Sequence, residues 1–212
     1  MSAKNTTANK DLVVGLGKTG LSIARYLERN EADAIFFDSR DEPPGLAELE
    51  ELFPDAEVQL GNDKLPKGVT RIIASPGIAD SHPMLKQALK KNVEIVSDIE
   101  LFARAAQAPV VAITGSNGKS TVTTLLAEMA KACGVVVAAG GNLGTAALDL
   151  LDDAVELYVL ELSSFQLETT DSLQAAVAAV LNISPDHMDR YPDLAAYAAA
   201  KARVLEGAGV GV

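Results

Sequence analysis

Short apolar runs alternate with amphipathic stretches along the whole chain. Runs of strand length lie at residues 12–14, 34–37, 69–74 and 93–96 in the first half and at 110–114, 157–161 and 175–182 in the second. Between them, apolar residues recur at helical spacing, most clearly at residues 19–29, 83–90, 119–132 and 194–206. Because strands and helices alternate, the pattern predicts an α/β fold with mainly parallel sheets covered by helices.

A glycine-rich turn follows the first strand of each half, and this repetition predicts two domains. We place a Rossmann-like domain at residues 1–107 and a P-loop-type α/β domain at residues 108–212. Residues 207–212 read as the start of another strand. The second domain is therefore expected to be incomplete.

The composition indicates a globular, acidic protein. The 212 residues are 48% hydrophobic and 22% charged, with a formal net charge of -11. No apolar run reaches the roughly 20 residues that span a bilayer, and residues 1–10 are polar, so we expect a cytoplasmic protein. The single cysteine, Cys133, excludes an internal disulfide and a cysteine-rich metal site. The negative charge argues against nucleic-acid and membrane-surface binding, so anionic ligands must be held by local devices such as helix N-termini.

The turn in the second half has the features of a phosphate-binding loop. Its residues are Gly115, Ser116, Asn117, Gly118, Lys119, Ser120 and Thr121, between a predicted strand and a predicted helix. Backbone N–H groups in such a turn cradle a polyphosphate, and the hydroxyl of Ser120 would bind magnesium. The usual pattern has glycines five positions apart, whereas here Ile113 stands at the first glycine position. The loop still predicts nucleoside triphosphate and Mg²⁺ binding, with a structural turn as the alternative.

The turn in the first half matches a dinucleotide fingerprint. The sequence is Gly15-Leu16-Gly17-Lys18-Thr19-Gly20, and Asp38 ends the next predicted strand, where a ribose-binding acid is expected. This pattern taken alone favours NAD. Such a turn also serves simply to pack a helix against a strand. Arg40 could contact a base through its planar guanidinium group.

Polar residues gather at the ends of two predicted strands in the second half. Glu161 ends one apolar strand, at the sheet edge where ligands of open α/β folds bind, which predicts a magnesium ligand. The next strand is followed by Asn182, Asp186, His187, Asp189 and Arg190. A neutral His187 could bind a second metal or orient a phosphoryl oxygen. The alternatives are a solvated charge for Glu161 and a surface histidine for His187.

The motifs that carry a family resemblance are spread over essentially the whole chain. They are Gly15-Leu16-Gly17-Lys18-Thr19-Gly20, Ser75-Pro76-Gly77-Ile78, Ser97-Asp98-Ile99-Glu100-Leu101-Phe102, residues 113–124, Gly140-Gly141-Asn142-Leu143-Gly144, residues 161–168, and Asp186-His187-Met188-Asp189-Arg190-Tyr191. Together they resemble the Mur ligase family, ATP-dependent enzymes that add amino acids to the peptidoglycan precursor. The shortened phosphate loop is the form found in that family. Residues 161–168 are most similar to the members that add D-glutamate.

The resemblance implies that the first domain holds the UDP portion of UDP-N-acetylmuramoyl-L-alanine rather than NAD. It places Gly17, Lys18 and Thr19 at the diphosphate and Ser39 and Arg40 near uracil. Two further residues, Ser75 and Gly77, would complete that pocket.

For the second domain, the resemblance implies a site for ATP and for one or two Mg²⁺ ions. Lys119 and Ser120 would hold ATP and magnesium, and Glu161 and His187 would hold the metals. The residues implied to line the route between nucleotide and substrate are Asn142, Ser163 and Gln166. Lys201 matches a lysine that the family carbamylates, with an exposed helical lysine as the alternative.

The implied reaction is ATP-dependent addition of D-glutamate through an acyl phosphate, with Lys119, Asn142, His187 and Lys201 in catalysis. The resemblance also implies a third, C-terminal domain, which this sequence lacks, so the chain is expected to be an inactive fragment and a monomer. Two other readings stay open. One is a noncatalytic UDP-sugar-binding or P-loop switch module, and the other is an NAD-dependent oxidoreductase, which does not account for Lys119 or Glu161.

Overall fold

The computed structural model describes residues 10–79, 81–142 and 144–212. The chain divides into two compact units, Met1–Val96 and Ser97–Val212. Each unit contains one five-stranded sheet flanked by helices. The predicted α/β fold class with mainly parallel sheets is confirmed.

The sheet of the first unit is built around its first strand. The elements are β1 (Lys10–Val14), α1 (Lys18–Arg29), β2 (Ala34–Asp38), α2 (Leu46–Leu52), β3 (Val58–Leu60), β4 (Val69–Ala74), α3 (Pro83–Lys90) and β5 (Glu94–Ser97). The strand order is β3-β2-β1-β4-β5, and β1 pairs in parallel with β2 and β4. The chain therefore adds β2 and β3 on one side of β1 first, and then β4 and β5 on the other side. The glycine turn after β1 lies at this switch point, where open α/β sheets bind ligands.

Both faces of the first sheet are buried. On one face, Leu12, Val14, Ile35 and Phe37 share a core cluster with Met84 of α3. On α1, which contacts β1, the residues Ile23, Ala24 and Leu27 are buried. Burial on two faces explains why β1 and β2 read as continuous apolar runs rather than as alternating ones.

The second unit begins with a helix and places its glycine-turn strand in the centre of its sheet. The elements are α4 (Asp98–Ala105), β6 (Val110–Thr114), α5 (Lys119–Ala132), β7 (Val137–Gly141), a 3-10 helix (Ala147–Leu150), β8 (Leu157–Glu161), α6 (Ser164–Glu168), β9 (Val177–Val180), α7 (Leu194–Ala202), a second 3-10 helix (Arg203–Leu205) and β10 (Val210–Gly211). The strand order is β10-β9-β6-β8-β7, with β6 parallel to β8 and β9. Ile113 is in register with Glu161, and Thr114 with Val180. The carboxyl ends of these three strands therefore meet beside the phosphate loop.

Helix α4 belongs to the second unit, so the boundary lies between Val96 and Ser97 rather than after residue 107. Phe102 of α4 packs on Tyr158 of the same unit, and the buried carboxyl group of Glu100 adds hydrogen bonds to it. Glu100 accepts hydrogen bonds from the backbone N–H groups of Asp171 and Ser172, from the Ser172 hydroxyl, and from Arg104. Burial raises the pKa of Glu100, but these hydrogen bonds outweigh it and lower the pKa to about 2.

Three elements differ from their predicted extents. The helix predicted at 194–206 ends at Ala202, and residues 203–205 tighten into a 3-10 turn that buries Val204. In that turn Arg203 donates to the backbone carbonyls of Leu167 and Thr170, a long-range contact that local periodicity does not report. The strand predicted at 175–182 covers only Val177–Val180, and the strand expected within 207–212 is the short β10. Among the described residues, no helix combines the length and apolarity needed to cross a membrane.

Close packing of α1 on the turn after β1 leaves no room for a side chain at Gly20. A Cβ atom at this position would lie 1.8 Å from the backbone oxygen of Gly15, whereas one at Gly17 would meet nothing within 4 Å. Gly20→Ala should lower the free energy of unfolding of the first unit by about 3 kcal/mol or more, although alanine is the better helix former. Urea denaturation, with hydrogen exchange to locate the loss, measures this.

The matched control is Gly17→Ala, for which we expect a change within about 1 kcal/mol. A Gly20→Ala protein as stable as this control would contradict the close packing of α1 on the turn.

Candidate functional site

The first unit has a cleft at its switch point. The cleft has a volume of about 340 Å³ and is lined by Gly15, Gly17, Lys18, Thr19, Asp38, Ser39, Arg40, Ser75, Pro76, Gly77 and Ile78. All the residues that the sequence assigned to substrate binding in this half lie in its lining. The β1, β2 and β4 strand ends bring them together.

Asp38 lies in this cleft and joins the glycine turn to Arg40 by hydrogen bonds. Its carboxylate accepts from the backbone N–H of Leu16 (2.7 Å), from the backbone N–H of Arg40 (2.9 Å), and from Nε and Nη2 of Arg40 (2.8 Å each). Burial raises the pKa of Asp38, yet the hydrogen bonds from Arg40 and Leu16 prevail and lower it to about 2. These four bonds fill the roughly four acceptor positions of a carboxylate. Asp38 is thus occupied in holding the turn, which argues against its role as a ribose clamp for NAD.

The two helices that leave the glycine turns begin without a side-chain cap. Gly17 precedes α1 and Gly118 precedes α5, and neither supplies a capping group. The short helix α2, after Gly45, is uncapped as well, whereas α3, α4, α6 and α7 are capped by His82, Ser97, Ser163 and Asp193. Uncapped first turns leave backbone N–H donors and the positive end of the helix dipole available to an anion.

The phosphate loop of the second unit is held by the segment after β9. Asn182 accepts a hydrogen bond from the backbone N–H of Asn117 and donates one to its carbonyl. Ser116 accepts from the backbone N–H of Ser184 and donates to the Ser184 carbonyl (3.0 Å each). Gly118 takes a φ of +81°, a conformation that a glycine adopts without strain. The support from Ser184 was not predicted, because it requires the pairing of β6 with β9.

Glu161 is the centre of the second-unit site. Its side chain is buried, with 2% of the residue exposed, and it accepts from the Ser120 hydroxyl and from the Asn142 amide at 2.8 Å each. The structure therefore brings together three predicted site residues from α5, β8 and the end of β7.

The donor set at Glu161 fits magnesium. Within residues 10–79, 81–142 and 144–212, no group of three or more His, Cys, Asp or Glu side chains is arranged to hold a metal ion. Mg²⁺ is commonly bound by only one or two protein oxygens together with substrate phosphates and water. A carboxylate and a hydroxyl at the start of an uncapped helix satisfy that requirement.

Lys201 is buried rather than exposed on its helix. Only 2% of the residue is exposed, its Nζ lies 4.6 Å from the centre of the Tyr197 ring, and it is 3.5 Å from the Thr114 hydroxyl. Burial lowers the pKa of Lys201 to about 8, with a further lowering by Lys119 and opposing contributions from Asp186 and Glu161. The alternative of an ordinary exposed lysine is wrong.

Two family models match the chain. The Mur ligase MurD-like, N-terminal domain matches residues 9–97, and the Mur ligase middle domain matches residues 113–211. The chain belongs to the Mur ligase family. The resemblance stated from the motifs is confirmed, and the two matches fall one in each compact unit, apart from Ser97, with residues 98–112 outside both matches.

Curated relatives of this Mur ligase chain have high identity over most of its length. The UDP-N-acetylmuramoylalanine--D-glutamate ligase of Hahella chejuensis is 60% identical over 198 residues, covering 92% of this chain and 44% of that protein. The protein of the same name from Pseudomonas syringae pv. syringae is 57% identical over 200 residues, covering 93% and 44%. The chain thus spans slightly less than half the length of these relatives.

Solved Mur ligase structures share the fold at low identity. The UDP-N-acetylmuramate:L-alanyl-gamma-D-glutamyl-meso-diaminopimelate ligase from Neisseria meningitides has a TM-score of 0.63 at 16% identity, covering 94% of this chain and 68% of that one. The UDP-N-acetylmuramate-alanine ligase from Thermotoga maritima has a TM-score of 0.58 at 19% identity, covering 95% and 48%. These likenesses support the two-sheet fold.

Two of the predicted Mur ligase site residues have surroundings that sequence reasoning did not anticipate. His187 has a φ of +54°, its Nε2 lies 3.6 Å from Asp186 Oδ2, and its ring packs on Phe165 at 4.8 Å between centroids. Gln166 is 3% exposed, and its Oε1 accepts from both the backbone N–H and the hydroxyl of Ser163. Gln166 therefore acts on Ser163 as the partner in a capping box.

The buried amine of Lys201 predicts a stability that depends on pH. Its folded pKa of about 8 lies below the ordinary value of 10.5, so the folded state disfavours the charged form. Below pH 8 the charge costs stability, and this cost disappears as the pH rises from about 8 to above 10. In CO₂-free buffer, Lys201→Met should raise the free energy of unfolding at pH 7 by up to about 3 kcal/mol, and this gain should shrink toward pH 10.

Denaturant titrations at several pH values measure the gain. Lys131→Met is the control, because Lys131 is exposed and pairs with Glu128 at the end of α5. A gain from Lys201→Met that stayed constant from pH 7 to pH 10 would count against the desolvated amine.

Proposed function

We propose that this chain provides the UDP-substrate-binding and ATP-binding parts of a ligase that adds D-glutamate to UDP-N-acetylmuramoyl-L-alanine in peptidoglycan precursor synthesis. The observation that carries the proposal is the buried Glu161 joined to Ser120 and Asn142 at the uncapped start of α5. The names and high identity of the curated relatives support the substrate. We expect a monomer in the cytoplasm that takes part in cell-wall synthesis.

In this proposal the first-unit cleft binds the UDP portion of the substrate. The N-terminus of α1, with Gly17, Lys18 and Thr19, receives the diphosphate. Ser39 and Arg40 at the end of β2 contact uracil, with the Arg40 guanidinium oriented by Asp38. Ser75 and Gly77 close the remaining side of the cleft.

The second-unit loop then binds ATP with magnesium. The backbone N–H groups of Ser116 and Asn117 are bonded to Asn182, so the uncapped first turn of α5, from Lys119 to Thr121, supplies the backbone donors, and Lys119 supplies a positive charge to the phosphates. Ser120 and Glu161 would hold Mg²⁺, and His187 would serve a second ion. Magnesium, when bound, neutralises charge on the phosphate oxygens during transfer.

The chemistry joins a carboxylate to an amine in two steps. The L-alanine carboxylate oxygen attacks the γ-phosphorus of ATP, the bond to ADP breaks, and an acyl phosphate forms. The amine of D-glutamate then attacks the acyl carbon, the bond to phosphate breaks, and the amine proton leaves to water. Lys119 offsets the charge that accumulates when two anions meet, while Asn142, bonded to Glu161, and Ser163, which follows β8, orient the reacting groups.

Lys201 is proposed to carry a carbamate. Its lowered pKa leaves a large fraction of the amine uncharged near pH 8, and an uncharged amine can attack CO₂ and lose a proton to water. The product is an anion beside Thr114 and Tyr197. Added ¹³C-bicarbonate should produce a carbamate carbon resonance at pH 8 that is absent from Lys201→Arg.

The remaining alternatives fit less well. An NAD-dependent oxidoreductase would use Asp38 for the ribose, but the carboxylate is filled by Leu16 and Arg40. A noncatalytic UDP-sugar module would not need the buried cluster around Glu161. We therefore favour the ligase.

Because the two phosphate-binding turns lie in different units, a substitution in one turn should weaken the binding of one ligand and leave the binding of the other unchanged. Lys119→Ala should lower ATP affinity at least tenfold, since it removes the cation of the phosphate loop, while binding of UDP-N-acetylmuramoyl-L-alanine stays within about twofold. Calorimetry with each ligand measures both. Lys131→Ala, at the other end of α5, is the control, and equal loss of both affinities in a folded Lys119→Ala protein would refute the assignment.

The first-unit cleft should prefer UDP to NAD. Arg40→Ala should weaken UDP binding about tenfold, because the oriented guanidinium is lost from the base pocket. Competition experiments with a fluorescent UDP derivative measure the preference. Tight NAD binding that UDP does not displace would restore the oxidoreductase alternative.

A further inference from the structure

Thr114, the last residue of β6, carries a hydroxyl group that no step of the proposed chemistry uses. The residue is fully buried, and its Oγ1 donates to the carbonyl of Leu162 at 2.7 Å. Leu162 follows Glu161, and its backbone N–H in turn donates to the carbonyl of Ile113 at 2.9 Å. These two bonds join the end of β6 to the segment that leaves β8. The Thr114 hydroxyl is therefore held in one orientation.

That orientation decides what Thr114 can offer to Lys201. A hydroxyl group has one hydrogen and two acceptor lone pairs. Because the hydrogen is given to Leu162, Thr114 can only accept from other groups. The Nζ of Lys201 lies 3.5 Å from Oγ1 and is the donor of this pair. The amine therefore has one of its N–H groups directed at the end of β6.

An aromatic ring also contacts the Lys201 amine. Nζ lies 4.6 Å from the centre of the Tyr197 ring, one turn earlier on α7, and Tyr197 is 1% exposed. The charged groups that act on the amine are Lys119, Asp186 and Glu161. A ring face attracts a cation without closely fixing the direction of its N–H groups, whereas a hydroxyl oxygen accepts from a defined direction. The direction of the substituents on the nitrogen therefore depends on Thr114.

We propose that Thr114 is a positioning residue for Lys201, and that its oxygen fixes the direction in which a carbamate on that lysine points. The inference rests on the carbamate of the proposed function. When the Lys201 nitrogen attacks the carbon of CO₂, an N–C bond forms, one C=O electron pair moves onto oxygen, and a proton leaves to water. The carbamate nitrogen is planar, as in an amide, and keeps a single N–H group. With that N–H directed at Thr114, the anionic oxygens point away from β6.

The test compares Thr114→Val, which keeps the shape and removes the hydroxyl, with Thr114→Ser, which keeps the hydroxyl. In Thr114→Val the carbamate N–H is buried without a partner, so the carbamate ¹³C signal in ¹³C-bicarbonate at pH 8 should fall about tenfold. The lost bond also disfavours the ammonium form, but with a pKa of about 8 the gain in uncharged amine is at most about twofold. Thr114→Ser should keep the signal within about twofold of the wild type. Thr114→Ala replaces the valine variant if that protein does not fold.

Thr123→Val is the matched control. Thr123 is also a buried threonine of the second unit, 1% exposed, and its hydroxyl has no hydrogen-bond partner among the described residues. This variant should leave the carbamate signal unchanged. A folded Thr114→Val protein that is destabilised but keeps the wild-type signal would overturn the proposal, since a merely structural hydroxyl gives that result. Equal losses in Thr114→Ser and Thr114→Val would overturn it as well.

A titration in CO₂-free buffer tests the bond to the amine itself. The Cε resonance of Lys201, followed by ¹³C NMR against pH, should give a pKa in Thr114→Val that is lower than in the wild type by about 1, because the ammonium loses an acceptor. Thr114→Ser should titrate like the wild type, and an unchanged pKa in Thr114→Val would refute the contact. Absence of a carbamate signal in the wild type would refute the carbamate of the proposed function. The titration would still decide whether Thr114 positions Lys201.

Discussion

The second unit depends on a buried carboxyl group at the end of β8, that of Glu161. A carboxylate that is removed from water is costly unless hydrogen bonds or a cation compensate it. Glu161 receives two neutral hydrogen bonds, from Ser120 at the start of α5 and from Asn142 after β7. These bonds join three segments of the unit at one point. The site is therefore both a fixed point of the fold and a suitable place for a cation.

The first unit also has a central strand that is followed by a glycine turn, but the acid at its site has a charged partner. Asp38 also ends a strand beside a glycine turn, yet Arg40 neutralises it and Leu16 completes its hydrogen bonds. The result is a closed ion pair that shapes the turn and orients the guanidinium at the cleft. The first unit thus offers a guanidinium group and an uncapped helix, whereas the second offers Lys119 and a buried carboxyl group beside its uncapped helix. This difference is consistent with an anionic substrate in one and a metal-bound nucleotide in the other.

Buried polar contacts, rather than apolar packing alone, hold the segments that surround the second site. Glu100 fixes the loop after α6, Ser116 fixes the segment after β9, and Gln166 caps Ser163. Each of these bonds is directional, so it specifies a position and not only a contact. Lys201 adds a buried amine. Its removal from water lowers its pKa and so shifts it toward the uncharged form.

Local sequence patterns determined much of this molecule. Alternating strands and helices, the two glycine turns and the strand-end position of Glu161 all follow from apolar periodicity and turn chemistry, because these signals arise within a few residues. Sequence could not show that Asp38 is already filled by Arg40, or that Gln166 serves Ser163, since a side chain's partner depends on the folded geometry around it. The sequence also did not show that α4 belongs to the second unit. It depends on bonds such as Ser97 to Thr169, which join positions 72 residues apart and exist only after the sheet has brought both segments together.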